Sequence, residues 1–596
     1  MPYQIFSPPP GIFNDGTAYS AKGKWFICDK VRFKENFPQK IGGWVNSSGS
    51  VAFSGVCRYL QSWADLSGNP QLGIGTSSRF YVKNNGTMVD ATPVRTTINL
   101  GSNPITTPAS GNIITLAVAG HGAAVGDAFY LTGVSGSWGG VTAAQFNCTG
   151  MATEFVVNTV VNSNTITFIG PTATSSVAGG GGSVVATFQL ASNNSGGNAV
   201  RIWSGDNFGQ DSIMNYRGGP IYYWTLSSTF LSPMVNIGSL SGASDTPIIA
   251  NWILVAASSR QVFAFGCNPV GSSTQDPMYV RWSDLESASV WTPDTTNAAG
   301  GFRLSSGSQI YCAHVASGQL LVWTDNTLYA LLYVGGSLEW GQQVVSPSID
   351  IIGPNSVCTF ANFAIWMGRQ NFYIYDGTVH TMDCSVREYV FGNINVNQGF
   401  KVFASTNALH REVWFFYPSA GSNECNSYVV YNYVTQTWYV GTMPRTAWHD
   451  SGVENYPQGA STDGFIYYHE NGLDDGSTGS AIDAYIESGP VEIADGDDFV
   501  FLSRIIPDIT FSESTITYPS VNYTVTARDY PGGVFFNPDQ LPVSKTSTSG
   551  VEQFTNRLDV RLRGRHFIFR VESSSATGVW WRLGPQRFDM QPDGKR

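Results

Sequence analysis

The sequence predicts an all-β chain, because short apolar segments closed by Gly, Asn or Asp recur through the middle of its 596 residues. Between about residues 207 and 469 these segments are rich in β-branched and aromatic residues, as in 320–326 (LLVWTDN) and 372–377 (FYIYDG). Runs of this length between turn formers indicate strands joined as hairpins. Repeated hairpins over hundreds of residues are what a β-propeller requires, because each blade is a small antiparallel sheet. The predicted fold is therefore a β-propeller platform.

The chain divides into four predicted segments. Residues 1–90 contain short strands that we expect to contribute to the propeller platform, and residues 191–480 hold the main propeller. Residues 91–190 are almost free of charge and predict an inserted small β-domain that forms a peripheral projection, since surface loops tolerate long insertions. Residues 481–596 contain longer strands, which favour a C-terminal β-sandwich-like domain.

Composition favours a β-protein that buries surface in an assembly. Only 13% of the residues are charged, against about 25% in an ordinary soluble domain, while aromatics also reach 13%. The net charge of −11 argues against a protein that binds nucleic acid by neutralising phosphates. It is compatible with a channel wall along which DNA slides, because like charge prevents adhesion.

The sequence offers no recognisable catalytic, cofactor-binding or metal-ligating set. The seven His are dispersed, and neither H-E-x-x-H nor G-x-S-x-G occurs. The eight Cys lack C-x-x-C and zinc spacing, which predicts buried free thiols. We therefore expect no enzyme, no cofactor and no metal. We also expect no membrane span and no secretory leader, hence synthesis in the cytosol.

A cluster of basic residues near the end of the chain allows two interpretations. Arg561, Arg563 and Arg565 share one face if this segment is a strand. They could contact phosphate, or they could form salt bridges between subunits. The acidic balance of the chain favours the second.

Several motifs resemble one family. They are 29–33 (DKVRF, with Arg32), 40–44 (KIGGW, with Trp44), 279–284 (YVRWSD, with Arg281 and Trp282) and 560–565 (VRLRGR). In this order they resemble the tail nozzle proteins of short-tailed bacteriophages, also called tail tubular protein B. Residues 113–169, with an H-G-x-x-V-G-D segment, are similar to a β-module inserted in phage tail proteins.

The resemblance implies a structural virion protein of the phage tail, made in the host cytoplasm. It implies a homohexameric ring below the portal and the tail adaptor ring, which closes the DNA channel and conducts the genome during ejection without sequence-specific binding. Tail fibres or spikes and the host surface are further expected contacts. The family has no catalytic residues, so Arg32, Trp44, Arg281, Trp282 and the three clustered arginines are candidate structural or interface residues.

Two other functions stay open. The chain could be a receptor- or glycan-binding tail protein, with exposed aromatics such as Trp138 of the inserted domain stacking on sugars. It could also be a propeller glycosidase, which requires two convergent carboxylates about 5 to 10 Å apart.

Overall fold

β-Strands dominate the computed structural model, which describes residues 3–191, 200–335, 339–493, 496–529 and 544–595. Within these ranges the α-helical content is one helix, α1 (Arg387–Phe391). Short 3-10 helices occur at Ala18–Ala21, Ala143–Gln145, Met151–Thr153, Ile237–Ser239, Val396–Lys401 and Ala408–His410.

The strands fall into four groups along the chain. The first group is β1 (Gln4–Phe6), β2 (Trp25–Asp29), β3 (Val31–Lys34), β4 (Phe37–Lys40), β5 (Trp44–Asn46), β6 (Cys57–Ala64), β7 (Pro70–Thr76), β8 (Phe80–Asn84) and β9 (Thr87–Asp90). The second is β10 (Val94–Asn99), β11 (Ile105–Thr106), β12 (Gly111–Ala117), β13 (Ala128–Thr132), β14 (Ser137–Trp138), β15 (Val141–Thr142), β16 (Glu154–Asn162), β17 (Thr165–Ala173), β18 (Ala178–Gly179) and β19 (Val185–Gln189).

The third group is β20 (Trp203–Phe208), β21 (Asp211–Tyr216), β22 (Ile221–Trp224), β23 (Val235–Asn236), β24 (Trp252–Ala256), β25 (Gln261–Phe265), β26 (Tyr279–Trp282), β27 (Gly300–Arg303), β28 (Ile310–Ala316), β29 (Gln319–Thr324), β30 (Leu328–Tyr333), β31 (Trp340–Ser346), β32 (Val357–Phe360), β33 (Phe363–Met367), β34 (Phe372–Tyr375), β35 (Val379–Thr381), β36 (Phe403–Asn407), β37 (Glu412–Tyr417), β38 (Ser427–Asn432), β39 (Thr437–Thr442), β40 (Ala447–His449), β41 (Gln458–Ala460), β42 (Ile466–His469), β43 (Asp474–Asp475) and β44 (Ser480–Ala481).

The last group is β45 (Tyr485–Ser488), β46 (Val500–Ile506), β47 (Ile509–Thr510), β48 (Ser520–Arg528), β49 (Ser544–Glu552), β50 (Leu558–Gly564), β51 (His566–Ser573), β52 (Arg582–Leu583) and β53 (Gln586–Pro592). The apolar segments from which the fold was predicted form strands, as β29 and β34 do. The prediction of an all-β chain is confirmed.

Seven small sheets in the described chain are arranged as a cycle. Sheets 1 to 6 are the antiparallel meanders β6–β9, β20–β23, β24–β27, β28–β31, β32–β35 and β36–β39; sheet 7 contains β40–β42, then β5 from the N-terminal region, with β43 and β44 at its edge. The first strand of each sheet contacts the first strand of the next, and β40 of sheet 7 contacts β6 of sheet 1. These contacts close on themselves, and we call the seven sheets the sheet cycle.

The second group of strands forms a separate unit between sheets 1 and 2. Its described strands pair only with one another, in an eight-stranded sheet ordered β10-β19-β13-β16-β17-β12-β11-β18 and the hairpin β14-β15. It has its own hydrophobic cluster, centred on Phe129, Phe155, Phe168 and Phe188. We call residues 94–189 the inserted unit.

The two ends of the chain pair with each other. Sheets β1-β53-β46-β50 and β3-β4-β52-β47 combine N-terminal and C-terminal strands, and so does β2-β45-β51-β48-β49. The first four strands therefore belong with the C-terminal sheets, whereas β5 to β9 belong to the sheet cycle. The segment 1–90, grouped as one unit by the sequence, contains strands of two sheet systems. One continuous hydrophobic cluster joins sheets 5 to 7 to the C-terminal sheets.

Candidate functional site at the junctions between sheets

Arg32 joins the terminal sheets to the sheet cycle. It lies on β3 and is buried, with 1% of its surface exposed. Its Nε donates to Oε1 of Glu412 at 2.9 Å, and its Nη1 and Nη2 donate to the carboxylate of Glu470 at 2.7 and 2.6 Å. Glu412 begins β37 of sheet 6, and Glu470 follows β42 of sheet 7. Trp414 and the Tyr439 hydroxyl also donate to Glu412. One guanidinium thus holds three sheets.

The charges of this junction depend on one another. Burial alone would raise the pKa of Glu470, but the Arg32 guanidinium holds it well below its usual range. The two carboxylates in turn raise the pKa of Arg32 well above its ordinary value, against the effect of burial. Removing one partner from such a buried group leaves an uncompensated charge, which costs more than the pair contributes.

The glycines of the K-I-G-G-W motif allow the chain to approach this junction. A Cβ on Gly42 would lie 2.8 Å from the Cα of Glu470, and one on Gly43 would lie 2.5 Å from the backbone nitrogen of Asp474. The Gly42 N–H donates to Glu470 at 3.1 Å. Glycine is therefore required at both positions by close backbone contact.

Trp44 holds the strand that completes sheet 7. Its Nε1 donates to Asp475 at 2.7 Å, and its ring centroid lies 5.5 Å from that of His469, its cross-strand partner. The Arg445 guanidinium lies 5.2 Å from the Trp44 ring centroid and donates through Nε to Nε2 of His469 at 2.9 Å. Burial and Arg445 lower the pKa of His469 well below its usual range. Neutral His469 is needed here because its Nε2 accepts from a cation.

Arg281 and Trp282 act within sheet 3. Arg281 is fully buried, and its Nη2 donates to the carbonyl and carboxylate of Asp245 at 2.6 and 3.0 Å. The same Nη2 donates to the Trp291 carbonyl at 3.2 Å. Trp282 donates to the Ala298 carbonyl at 2.8 Å. Both residues fix the long connections of this sheet.

The three clustered arginines differ in their contacts. Arg563 and Arg565 lie over the Phe499 ring, 4.0 and 4.8 Å from its centroid. Arg563 also pairs with Asp593 at 2.5 Å, and Arg565 donates to the Asp497 carbonyl at 2.6 Å. Arg561 is exposed instead. Two of the three therefore have roles within the chain.

The H-G-x-x-V-G-D segment stabilises a turn of the inserted unit. Nδ1 of His121 accepts from the Ala123 N–H, and Nε2 donates to the Asn162 carbonyl, both at 2.9 Å. Asp127, which is buried, lies 3.0 Å from the Arg95 guanidinium. His121 thus bonds to the backbone on both sides of its ring, and Asp127 pairs with a cation of β10.

The expectation that Trp138 is exposed was wrong. Only 9% of its surface is accessible, and its ring stacks on Phe146 with centroids 5.3 Å apart. Gly179 lies against the other side, since a Cβ there would come within 2.3 Å of the indole. The ring is part of the hydrophobic cluster of the inserted unit, where burial of a large aromatic surface is favourable.

Arg79 forms a second buried junction, between sheet 1 and the inserted unit. Its Nη1 lies 3.3 Å from Asp90 of β9 and 3.3 Å from Glu154 of β16, and it also donates to Gln189 of β19. The Tyr81 hydroxyl donates to Glu154 at 2.6 Å. Burial and the nearby Asp90 raise the pKa of Glu154 well above its usual range. The junction fixes the inserted unit on the sheet cycle.

Sequence reasoning missed the partners in these junctions. Glu412, Arg79 and Glu154 have buried charged side chains in strands or at their ends. The sequence does mark such residues, because a charged residue next to an apolar run is unusual in a chain with so few charges. Residues 412–417 (EVWFFY) are an example.

A cavity of about 500 Å³ lies where the first strands of the sheet cycle converge, and all seven strands line it. His449 of β40 faces Ser62 of β6 here, so it bridges sheets 7 and 1. Its Nε2 accepts from the Ser62 hydroxyl at 2.8 Å and from the Ser62 N–H at 3.3 Å. Burial lowers the pKa of His449 to about 4.

Other reactive groups are inert or dispersed. The eight cysteines are free thiols, as predicted, and burial raises the pKa of Cys57 to about 12. Among the described residues, no three His, Cys, Asp or Glu side chains are grouped so that they could hold a metal ion. No helix in the described ranges is long and apolar enough to cross a membrane.

No family model and no curated protein matches the chain. Solved structures with some likeness include an endosialidase of phage phi92, with 10% identity over 70% of this chain and 64% of that chain, and a TM-score of 0.17. A mutant apocarotenoid oxygenase of Synechocystis has 8% identity over 66% and 91%, with a TM-score of 0.27. An extracellular sensor domain of B. thetaiotaomicron has 9% identity over 94% and 80%, with a TM-score of 0.25. The match thus spans less than two thirds of the length of the endosialidase. With TM-scores this low, none of these structures supports an inference about the function of this chain.

Replacing Arg32 tests the first junction. Arg32→Met should lower the free energy of unfolding by about 3 to 5 kcal/mol, because it leaves two buried carboxylates without a cation. Urea unfolding followed by tryptophan fluorescence measures the change. Adding Glu412→Gln and Glu470→Gln should restore part of the loss, and Arg369→Met, at an exposed arginine, should have little effect. A loss below about 1 kcal/mol for Arg32→Met would contradict this role.

His449 should make the protein sensitive to acid. Because its pKa is about 4 in the folded protein and about 6.5 when unfolded, the unfolded chain binds more protons between these values. Stability is therefore lost as the pH falls from 6.5 to 4, by at most about 3 kcal/mol from this residue. Melting temperatures between pH 7.5 and 4.5 should fall less for His449→Gln than for the wild type. His380→Gln, at an exposed ring, should follow the wild type. If the melting temperature fell equally with pH in His449→Gln and in the wild type, the low pKa assigned to His449 would be refuted.

Proposed function

We propose that the chain is a structural subunit of a phage tail nozzle, built on a seven-bladed β-propeller. The closed cycle of contacts between first strands supports the propeller, with each sheet as one blade. In this arrangement β5 completes the seventh blade, so that a strand from near the N-terminus closes the disc. The inserted unit would project from the disc between the first and second blades.

The observation that carries the proposal is where the family-like motifs lie. Arg32, Trp44 and Arg281 belong to three separate motifs, and each is buried with side-chain bonds that hold sheets or long connections together. Such positions favour their residue type because each buried polar side chain needs its bonding partners to offset the cost of burial. A chain that shares these motifs in order is therefore expected to share the architecture of the nozzle family. The function is proposed on that basis.

The assembly would be a homohexameric ring in the virion tail, below the portal and adaptor rings. Six subunits of net charge −11 would give an acidic lumen, through which DNA passes without adhering. Sparse surface charge fits a chain that buries area against its neighbours. The Arg79 junction would make the inserted unit a fixed projection, suited to contact with fibres, spikes or the host surface.

A receptor- or glycan-binding role is the alternative, and it is weakened by the burial of Trp138. A sugar site on the inserted unit would have to use other residues.

Electron microscopy of particles assembled without this protein tests the proposal. Heads with truncated tails that have lost their DNA are expected, because the channel would lack its closure. Adding purified wild-type protein should restore complete tails and DNA retention. The Arg369→Met protein, changed at an exposed arginine, should restore them equally well. Complete tails that retain DNA but fail to adsorb would instead indicate a receptor-binding appendage.

A further inference from the structure

One outer face of the terminal sheets has an unusual set of side chains. It is the solvent side of the sheet β1-β53-β46-β50, and we call it the arginine face. Along β53, buried Phe588 and Met590 alternate with exposed Arg587 and half-buried Asp589, which defines the outward side. Five arginines and three aspartates occupy the face and its borders: Arg504, Arg557, Arg561, Arg563, Arg587, Asp559, Asp589 and Asp593.

Some of these charges are paired within the chain and others are not. Asp559 lies 3.3 Å from Arg504 and 3.8 Å from Arg557, and Arg563 pairs with Asp593. The side chains of Arg561 and Arg587 are exposed and have no ionic or hydrogen-bond partner among the described residues. Two cations therefore remain available on a face where the other arginines are engaged.

The backbone directs one of these cations outward. Arg561 has a φ of 59°, in the left-handed region that a bulky residue rarely adopts. It lies where three residue steps of β50 oppose two of β46, which is a β-bulge. Bulges change the direction in which a side chain points, and they are treated as specific features of a fold. Here the bulge presents Arg561 to solvent.

Apolar groups accompany the free cations. Ile5 is the cross-strand partner of Arg587 and is 65% exposed, and Tyr3 is 39% exposed. Arginine, aromatic and aliphatic side chains together are typical of protein interfaces. A nucleic acid would gain nothing from Ile5 and would be repelled by the interspersed aspartates. The face therefore fits a protein partner with an acidic surface.

We propose that the arginine face binds an acidic surface of a second copy of this chain, as the contact between neighbouring subunits of the ring. The inference rests on the proposed function. The face has more arginines than aspartates, while the chain as a whole carries −11, so acidic residues outnumber basic ones over the rest of the chain and favour a contact of opposite charge. Two arginine faces would repel each other, so the contact joins different surfaces. Contacts of that kind generate closed rings when the rotation closes.

Charge reversal on the full-length protein tests the inference. Assembly of the wild type and of Arg561→Glu/Arg587→Glu is followed by mass photometry across concentration and salt, alone and with the adaptor ring. The variant should need at least about tenfold more protein for half assembly, because like charges then meet in the contact. Higher salt should weaken wild-type assembly.

The matched control reverses two exposed arginines outside the face, Arg369→Glu/Arg411→Glu, and should assemble as the wild type does. Circular dichroism and melting temperatures check that each variant is folded, and Arg561→Ala/Arg587→Ala should show a smaller loss. Normal assembly of Arg561→Glu/Arg587→Glu would overturn the inference, and so would loss of DNA binding with assembly unchanged. A wild type that never assembles, even with the adaptor ring, would instead reject the proposed function.

Discussion

The contact between Arg32 and the carboxylates of Glu412 and Glu470 is the constraint on which the architecture depends. It is the point where β3 of the terminal sheets meets the last two sheets of the cycle. β4 pairs with β3, and a connection of three residues leads from β4 to β5, which completes sheet 7. The position of Arg32 thus sets the position of the closing strand. A buried guanidinium can do this because its fork of donors fixes both distance and direction.

The Arg79 junction repeats the same physical solution at the inserted unit. Each junction puts one guanidinium and two acidic side chains where separate sheet systems meet, with neutral donors around them. Apolar packing alone would allow several arrangements at such places, because it has no directional preference. Buried polar groups instead penalise every arrangement that leaves them unpaired.

Much of the fold was predictable from local pattern, whereas the junctions were not. Strands such as β29 and β37 were visible as apolar runs, because a half-buried or buried strand needs such a run. The pairing of β5 with β42, and of β1 with β53, joins residues hundreds of positions apart and leaves no local signal. Arg32 was singled out by motif, but its partners depend on that long-range pairing. Trp138 was misjudged because exposure cannot be read from residue type alone.

Hydrogen–deuterium exchange of the wild-type protein measures how firmly the N-terminal strands are held on the sheet cycle. If Arg32 and Trp44 lock the N-terminal strands in place, amides of β3, β4 and β5 should exchange as slowly as those of β37 and β42, because they would open only together. Exchange of β3 to β5 within seconds, while β37 and β42 remain protected for hours, would contradict the account. The N-terminal strands would then be a loose attachment and not the closure of the sheet cycle.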